Sequence, residues 1–291
     1  DGVHGELEWE HYPKPGDPNP IVKMGIAHIS ANKVVWIEED ENADQYTAWP
    51  FWAPDSKEMF YQVLNRDQND LQILSANPET GKNRLVYQEK NNTWVEFFED
   101  IHILNNNKGF ILRSELDGWR HLYYYDMNGK PKKQLTKGEW NVSDIKLVDE
   151  ENERLYFEAN KGERLETHLF VVDFDGDGIE QLTNIPGTHK ANVSPYGKYF
   201  YDTYSNINTP GKLDLYNSDG DLIKNLGNRK SKIFDEYSLG KTEIFSIKTE
   251  DGFDLPAMWV LPADFDENKK YPVLFAVYGG PGGTDVTNSF S

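Results

Sequence analysis

Apolar positions along this chain seldom recur at helical spacing. No convincing run places apolar residues at i, i+3, i+4 and i+7. Short segments rich in β-branched and aromatic residues dominate instead, separated by Gly, Asn, Asp and Pro. "EMFYQVL", "LQILSA", "GFILRSE", "HLYYYD", "RLYFEAN", "HLFVVD", "KYFYDTY" and "LDLYNS" are of this kind. Several alternate apolar with polar residues, the pattern of antiparallel strands with one buried face.

The segments also recur in order. Units beginning at Trp52, Ile103, Leu147 and Val193 each read turn, strand, polar loop, strand, Gly/Asp turn, strand. The period is roughly 45 residues, the length of a propeller blade of four short strands. One such sheet cannot bury both of its faces, whereas blades stacked face to face can. A β-sandwich is the alternative, but its strands do not repeat as whole units. Four units and a partial one before them do not close a ring of about seven or eight blades. The expectation is therefore a propeller whose N-terminal part lies outside this chain.

After Gly240 the character changes. "KTEIFSIKTEDGFDLPAMWVLPADFDENKKYPVLFAVYGG" opens with two alternating strands around Glu250-Asp251-Gly252, a hairpin signal. "YPVLFAVY" is unbroken apolar and reads as a strand covered on both faces. It runs into Tyr278-Gly279-Gly280-Pro281-Gly282-Gly283. A hairpin, then a buried strand ending in a glycine loop, is how an α/β-hydrolase sheet begins, and in that fold such a loop supplies part of the oxyanion hole. An ordinary Gly-rich turn is the other reading. The division expected is a propeller over residues 1–240 and the start of a hydrolase domain over 241–291.

Composition narrows the function classes. A formal charge of −19 disfavours nucleic acid and anionic membranes, which call for clustered Lys/Arg. With no cysteine, disulfides, thiolate metal sites and a cysteine nucleophile are excluded. No apolar run approaches the ~20 residues of a membrane span. Absence of Cys fits cytoplasm and periplasm alike. The opening "DGVHGELEWEHYPKPGDPNP" has neither a basic start nor an apolar stretch, so it is not read as a signal peptide. It also lacks an initiator Met, and the chain is expected to be an internal piece of a longer protein.

Three stretches carry a resemblance to a known family. These are "YPKPGDPNPIVK" (Tyr12 to Lys23), "DGWRHLYYYD" with "LTKGEWNV" (Asp117 to Val142), and "DENKKYPVLFAVYGGPG" (Asp266 to Gly282). In order and over nearly the whole chain, they resemble the prolyl oligopeptidase family of serine peptidases, in particular its dipeptidyl peptidase IV subfamily. The resemblance implies a β-propeller joined to an α/β-hydrolase domain. It implies an exopeptidase releasing Xaa-Pro or Xaa-Ala dipeptides from peptide substrates through a Ser ester, with no cofactor and no metal. It further points to a homodimer for the full-length protein and favours a periplasmic or otherwise extracytoplasmic location. An acylaminoacyl peptidase or oligopeptidase of the same family, or a non-enzymatic binding propeller, are the alternatives.

Tyr278 matches the family's Tyr whose hydroxyl, with a backbone N–H beside the nucleophile, stabilises the oxyanion. Phe98, in "NTWVEFFED", matches a Phe lining the substrate cavity, with a blade-packing aromatic as the alternative. No Gly-x-Ser-x-Gly occurs. The resemblance puts the triad Ser, Asp and His after Ser291 and the paired Glu that bind the substrate amino terminus before Asp1. This stretch alone is accordingly expected to be inert. His4, His11, His28, His102, His121, His168 and His189 lie in propeller sequence and none is read as catalytic. Glu38-Glu39 and Glu150-Glu151 read as solvated turn charges. "DFDGDG" (Asp173 to Gly178) resembles a calcium loop, but Glu180 comes too early for a bidentate ligand, and a hairpin turn is the better reading. Three Asn-x-Ser/Thr triplets, at Asn91, Asn141 and Asn192, arise often by chance and imply nothing.

Overall fold

A computed structural model describes residues 4–280, 283 and 285–290. Strands and the turns between them dominate it, with irregular segments before Gly25 and after Leu261. The described helical elements are two short 3-10 turns, Asn105–Asn107 and Lys232–Asp235. A two-stranded sheet comes first, β1 (Gly25–His28) and β2 (Lys33–Trp36). Four four-stranded sheets follow. The first holds β3 (Gln45–Trp52), β4 (Met59–Asn65), β5 (Asp70–Ala76) and β6 (Asn83–Lys90). The second holds β7 (Ile101–Ile103), β8 (Phe110–Ser114), β9 (His121–Tyr125) and β10 (Pro131–Gln134). The third holds β11 (Val142–Asp149), β12 (Arg154–Ala159), β13 (His168–Asp173) and β14 (Glu180–Gln181). The fourth holds β15 (Thr188–Val193), β16 (Tyr199–Asn206), β17 (Thr209–Asn217) and β18 (Leu222–Asn228). In each, strands neighbour one another in chain order, so the sheets are meanders. They are the blades of a partial β-propeller. The hairpin of β19 (Lys241–Lys248) and β20 (Asp254–Leu261) comes last, turning at Thr249–Phe253 as the Glu250-Asp251-Gly252 signal predicts.

The chain divides into two compact units. One holds the residues up to Phe110 with Tyr125–Pro131; the other holds Ile111–Tyr124 with the residues from Lys132 onward. In the first, Ile26, Ile37, Met59, Tyr61 and Ala76 form a buried cluster. In the second, Tyr156, Leu169, Val171, Leu182, Ala191, Phe200 and Tyr216 do so. Period-2 burial is clearest in β16, where Phe200, Asp202 and Tyr204 are buried while Tyr199 and Tyr201 are exposed. Each Tyr or Phe contributes a large apolar area, and stacked pairs such as Phe200 with Tyr216 (centroids 5.0 Å apart) join neighbouring strands.

The "YPVLFAVY" segment departs from expectation. Residues 271–279 belong to no strand, and Leu274, Phe275 and Val277 are 93%, 84% and 85% exposed. An apolar run becomes a buried strand only when neighbours take up its backbone N–H and C=O groups. Among the described residues no strand pairs with this one. The Glu38-Glu39 reading needs a correction as well. Glu39 is only partly exposed, and burial, opposed by a bond to Thr47, holds its carboxyl above the usual carboxylate range. Glu151 is an exposed turn residue as expected. "DFDGDG" forms the hairpin turn between β13 and β14, with Gly176 N donating to Asp173 O at 2.8 Å.

Candidate functional site

Tyr278 ends the apolar run and opens the glycine loop; of that loop, Pro281 and Gly282 lie outside the described residues. The backbone reverses at Gly279, whose φ of 68° is in the left-handed region that glycine enters without a steric penalty. The loop then folds over the Tyr278 ring. A Cβ at Gly280 would stand 2.6 Å from ring carbon Cε1, and one at Gly283 would stand 2.5 Å from Cδ1. A larger residue at either place would push the ring aside. Tyr278 N–H donates to Asp285 Oδ2 at 2.8 Å, which closes the loop at its neck. Tyr278 as a whole is 65% exposed. A phenol held this way is a hydrogen-bond donor on a short, sterically filled turn.

The chain beyond the loop is anchored on the third and fourth blades, all within the second unit. Asn288 N donates to Leu165 O at 2.8 Å, and Asn288 Nδ2 donates to Glu166 Oε1 at 2.7 Å. Asn288 O accepts from Thr188 Oγ1 at 3.0 Å, and its Oδ1 accepts from Ile207 N at 3.2 Å. Phe290 sits edge-on to Phe234, centroids 5.8 Å apart. The sequence singles out Tyr278 but neither Asp285 nor Asn288. Asp285 lies seven residues after its partner, beyond the two-residue reach of an Asx turn, so no turn signal marks it. Nothing local marks Asn288, whose partner Glu166 is 122 residues away.

Phe98 belongs to the first unit. It is 8% exposed and tilts against Tyr87, centroids 5.9 Å apart. Its backbone is held by a side chain: Gln62 Nε2 donates to Phe98 O and Phe98 N donates to Gln62 Oε1, both at 2.8 Å. Phe98 also lines a small cavity of about 190 Å³ with Trp49, Pro50, Phe51, Gln62, Glu99 and Ile101. Trp49 has a φ of 55°, uncommon for an aromatic residue, at the bulge where the register of β3 against β4 slips between Ala48 and Phe51. The ring therefore packs into its blade, as the bland reading has it, and also borders a cavity.

The histidines serve the blades. His121 Nδ1 lies 3.0 Å from Thr136 Oγ1, and His168 Nδ1 lies 3.2 Å from Thr183 Oγ1, at the same place in successive sheets. His189 pairs with Asp202 at 2.6 Å, which resembles a base and its orienting carboxylate. Its Nε2, however, is taken by Ile185 O at 2.8 Å and the ring is buried, so it faces no substrate. Among the described residues no group of three or more His, Cys, Asp or Glu stands together to hold a metal ion. No helix among them is long and apolar enough to cross a membrane.

Comparison with known proteins bears on this arrangement. Residues 3–211 match the family described as the dipeptidyl peptidase IV (DPP IV) N-terminal region. The chain belongs to this family. The dipeptidyl peptidase 4 of Trichophyton rubrum is 29% identical over 296 aligned residues, covering 96% of this chain and 38% of the fungal protein. The crystal structure of Porphyromonas gingivalis dipeptidyl peptidase 4 superposes with a TM-score of 0.87 at 26% identity, over 96% of this chain and 40% of that one. A putative dipeptidyl aminopeptidase IV from Bacteroides ovatus gives a TM-score of 0.88 at 30% identity, over 99% and 44%. The chain thus spans well under half the length of these DPP IV relatives.

Proposed function

We propose that the whole protein containing this chain is a serine exopeptidase that releases N-terminal dipeptides, preferring Pro or Ala in the second position. In it, residues 1–240 belong to the propeller and residues 241–291 begin an α/β-hydrolase domain. The observation that carries the reading is the Tyr278 loop: a phenol at the end of an apolar run, its ring cradled by Gly280 and Gly283, in a chain of the DPP IV family. When a Ser nucleophile attacks a peptide carbonyl, negative charge collects on the carbonyl oxygen. A donor already aimed there stabilises the transition state more than the ground state. Tyr278 is assigned this role. The exposed apolar face of residues 273–277 is assigned to sheet neighbours supplied by the rest of that domain, and Phe98 to the wall of the substrate cavity.

Expression of the full-length gene, followed by assay with Xaa-Pro and Xaa-Ala chromogenic dipeptides, tests the reading. Turnover that is abolished by a stoichiometric serine-directed phosphonate is the expected result. Cleavage only of substrates with blocked amino termini would move the protein to an acylaminoacyl peptidase or oligopeptidase. No turnover of any of these would leave a binding propeller.

A further inference from the structure

Asn288 spends every polar group it has on the blades. Its four partners lie on three separate stretches: Leu165 and Glu166 between β12 and β13, Thr188 at the start of β15, and Ile207 in the β16–β17 turn. These stretches are 81 to 123 residues away along the sequence. Glu166 is itself fixed, since its Oε2 meets His168 Nε2 at 3.1 Å and its side chain is only 12% exposed. Two residues on, Phe290 N donates to Ser205 Oγ at 3.3 Å and adds a contact with the same turn region.

Three residues before Asn288 stands Asp285, whose carboxylate holds the N–H of Tyr278. Three residues of chain reach at most about 10 Å. One short segment therefore grips the Tyr278 backbone at one end and the blades at the other. A hydroxyl aimed at an oxyanion has to be held within about 0.5 Å of its productive place. Whatever fixes the segment before Tyr278, the chain after it is fixed through Asp285 and Asn288.

We infer that Asn288 is a positioning residue: by latching the 285–290 segment onto the third and fourth blades, it sets where the Tyr278 loop stands relative to them. Its effect on catalysis rests on the proposed role of Tyr278; its hold on the loop does not. The latch holds through one residue, by two main-chain and two side-chain bonds.

Two measurements test this. In the 291-residue chain, hydrogen exchange at the Tyr278 amide should be slow in the wild type and at least about 10-fold faster in Asn288→Ala, because losing the two side-chain bonds to Glu166 and Ile207 loosens the segment and the Asp285 bond opens more often. In the full-length enzyme, Asn288→Ala should lower kcat by about 10- to 100-fold with KM little changed, the size of a small misplacement. Asn288→Asp should do the same, since a second carboxylate would face Glu166. Adding Glu166→Gln to Asn288→Asp should restore both readouts, the Gln amide donating where Asn288 had donated and still accepting from His168. This swapped pair also guards against a fold lost in the Ala variant. Unchanged exchange at Tyr278, or no rescue by the swapped pair, overturns the latch. Faster exchange with normal kcat, while Tyr278→Phe is impaired, overturns its catalytic part. If Tyr278→Phe has normal kcat, the oxyanion role falls instead, and the exchange result alone decides the latch.

Discussion

Gln62 gives Phe98 the hydrogen bonds a neighbouring strand would give: its Nε2 donates to Phe98 O and its Oε1 accepts from Phe98 N, each at 2.8 Å. Gln62 is 1% exposed, so water cannot replace it. The loop between β6 and β7 is thereby attached to the middle of β4. Gln62→Leu keeps the volume and removes both bonds. Leaving a buried N–H and C=O without partners costs about 1–3 kcal/mol each. Chemical denaturation should show a loss of about 2–4 kcal/mol, and a loss under about 0.5 kcal/mol would mean the loop is held by other contacts.

Thr136 and Thr183 make a paired prediction. Each hydroxyl accepts from the N–H of a Leu, Leu122 at 2.9 Å and Leu169 at 3.0 Å, and faces the Nδ1 of the preceding His. Nε2 of His121 faces Gly138 O and Nε2 of His168 faces Glu166 Oε2, both of which only accept, so the ring proton sits on Nε2 and each Thr hydroxyl donates to Nδ1. Thr136→Val and Thr183→Val should each cost about 1–3 kcal/mol. Thermal melting should place the two variants close together, because the arrangement is the same in both sheets. A large cost at one site and none at the other would contradict that equivalence.

The same two sheets explain how much of the fold was legible. "HLYYYD…QLT" and "HLFVVD…QLT" repeat because each His-Thr pair fastens the fourth strand of a blade to its third, and repetition is visible in sequence. The first strand of each blade escaped detection. β3 contains Pro50 and a bulge, β7 has three residues, and β15 reads THKANV with alternate positions exposed. β7 and β15 have no apolar run long enough to register, and in β3 the run from Ala48 to Trp52 is broken by Pro50 and the bulge. The glycine loop was legible because its residues are contiguous in the sequence. Gln62, Glu39 and Asn288 were not, because their surroundings are assembled from residues far apart in the chain.

Tyr61 supplies a pH dependence. Burial, with the nearby Glu39 charge adding and a bond from Asn83 opposing, pushes its phenol up to about 12. An unfolded tyrosine titrates near ~10. The folded state thus holds this proton more tightly, so the stability tied to it is complete below about pH 10 and is lost as pH rises towards about 12. Within that window the slope is about 1.4 kcal/mol per pH unit. Tyr61→Phe has no proton to release and should make the fall less steep, leaving the shares of Tyr87, Tyr125, Tyr156, Tyr204 and Tyr216, whose phenols burial also raises. Glu39→Gln should bring the Tyr61 titration down in a spectrophotometric titration. Identical alkaline profiles for wild type and Tyr61→Phe would remove the assignment.

The isolated chain should be catalytically silent. It contains no Gly-x-Ser-x-Gly, and the buried His189–Asp202 pair has its free nitrogen taken by Ile185 O. An oxyanion donor without a nucleophile and base has nothing to stabilise. Purified and assayed with Xaa-Pro and Xaa-Ala chromogenic dipeptides, it should give no turnover above buffer. Phosphonate-sensitive turnover would show a nucleophile that no motif reveals.

Tyr278→Phe in the full-length enzyme separates catalysis from architecture. The substitution removes one hydroxyl and keeps the ring that Gly280 and Gly283 enclose, so the loop should fold unchanged. The Tyr278 N–H bond to Asp285 is a backbone bond and survives as well. If the hydroxyl donates to the oxyanion, its loss falls on the transition state alone. Then kcat should drop by about 100- to 1000-fold while KM stays near its wild-type value. A hydroxyl with a purely structural bond would behave otherwise, costing about 1 kcal/mol of stability and leaving kcat intact. Tyr278 as a whole is already 65% exposed, so little stability can depend on its hydroxyl in this chain. Steady-state kinetics and a melting curve on the same preparation distinguish the two cases. Normal kcat with a lowered melting temperature would reduce the glycine loop to a turn and withdraw Tyr278 from the site.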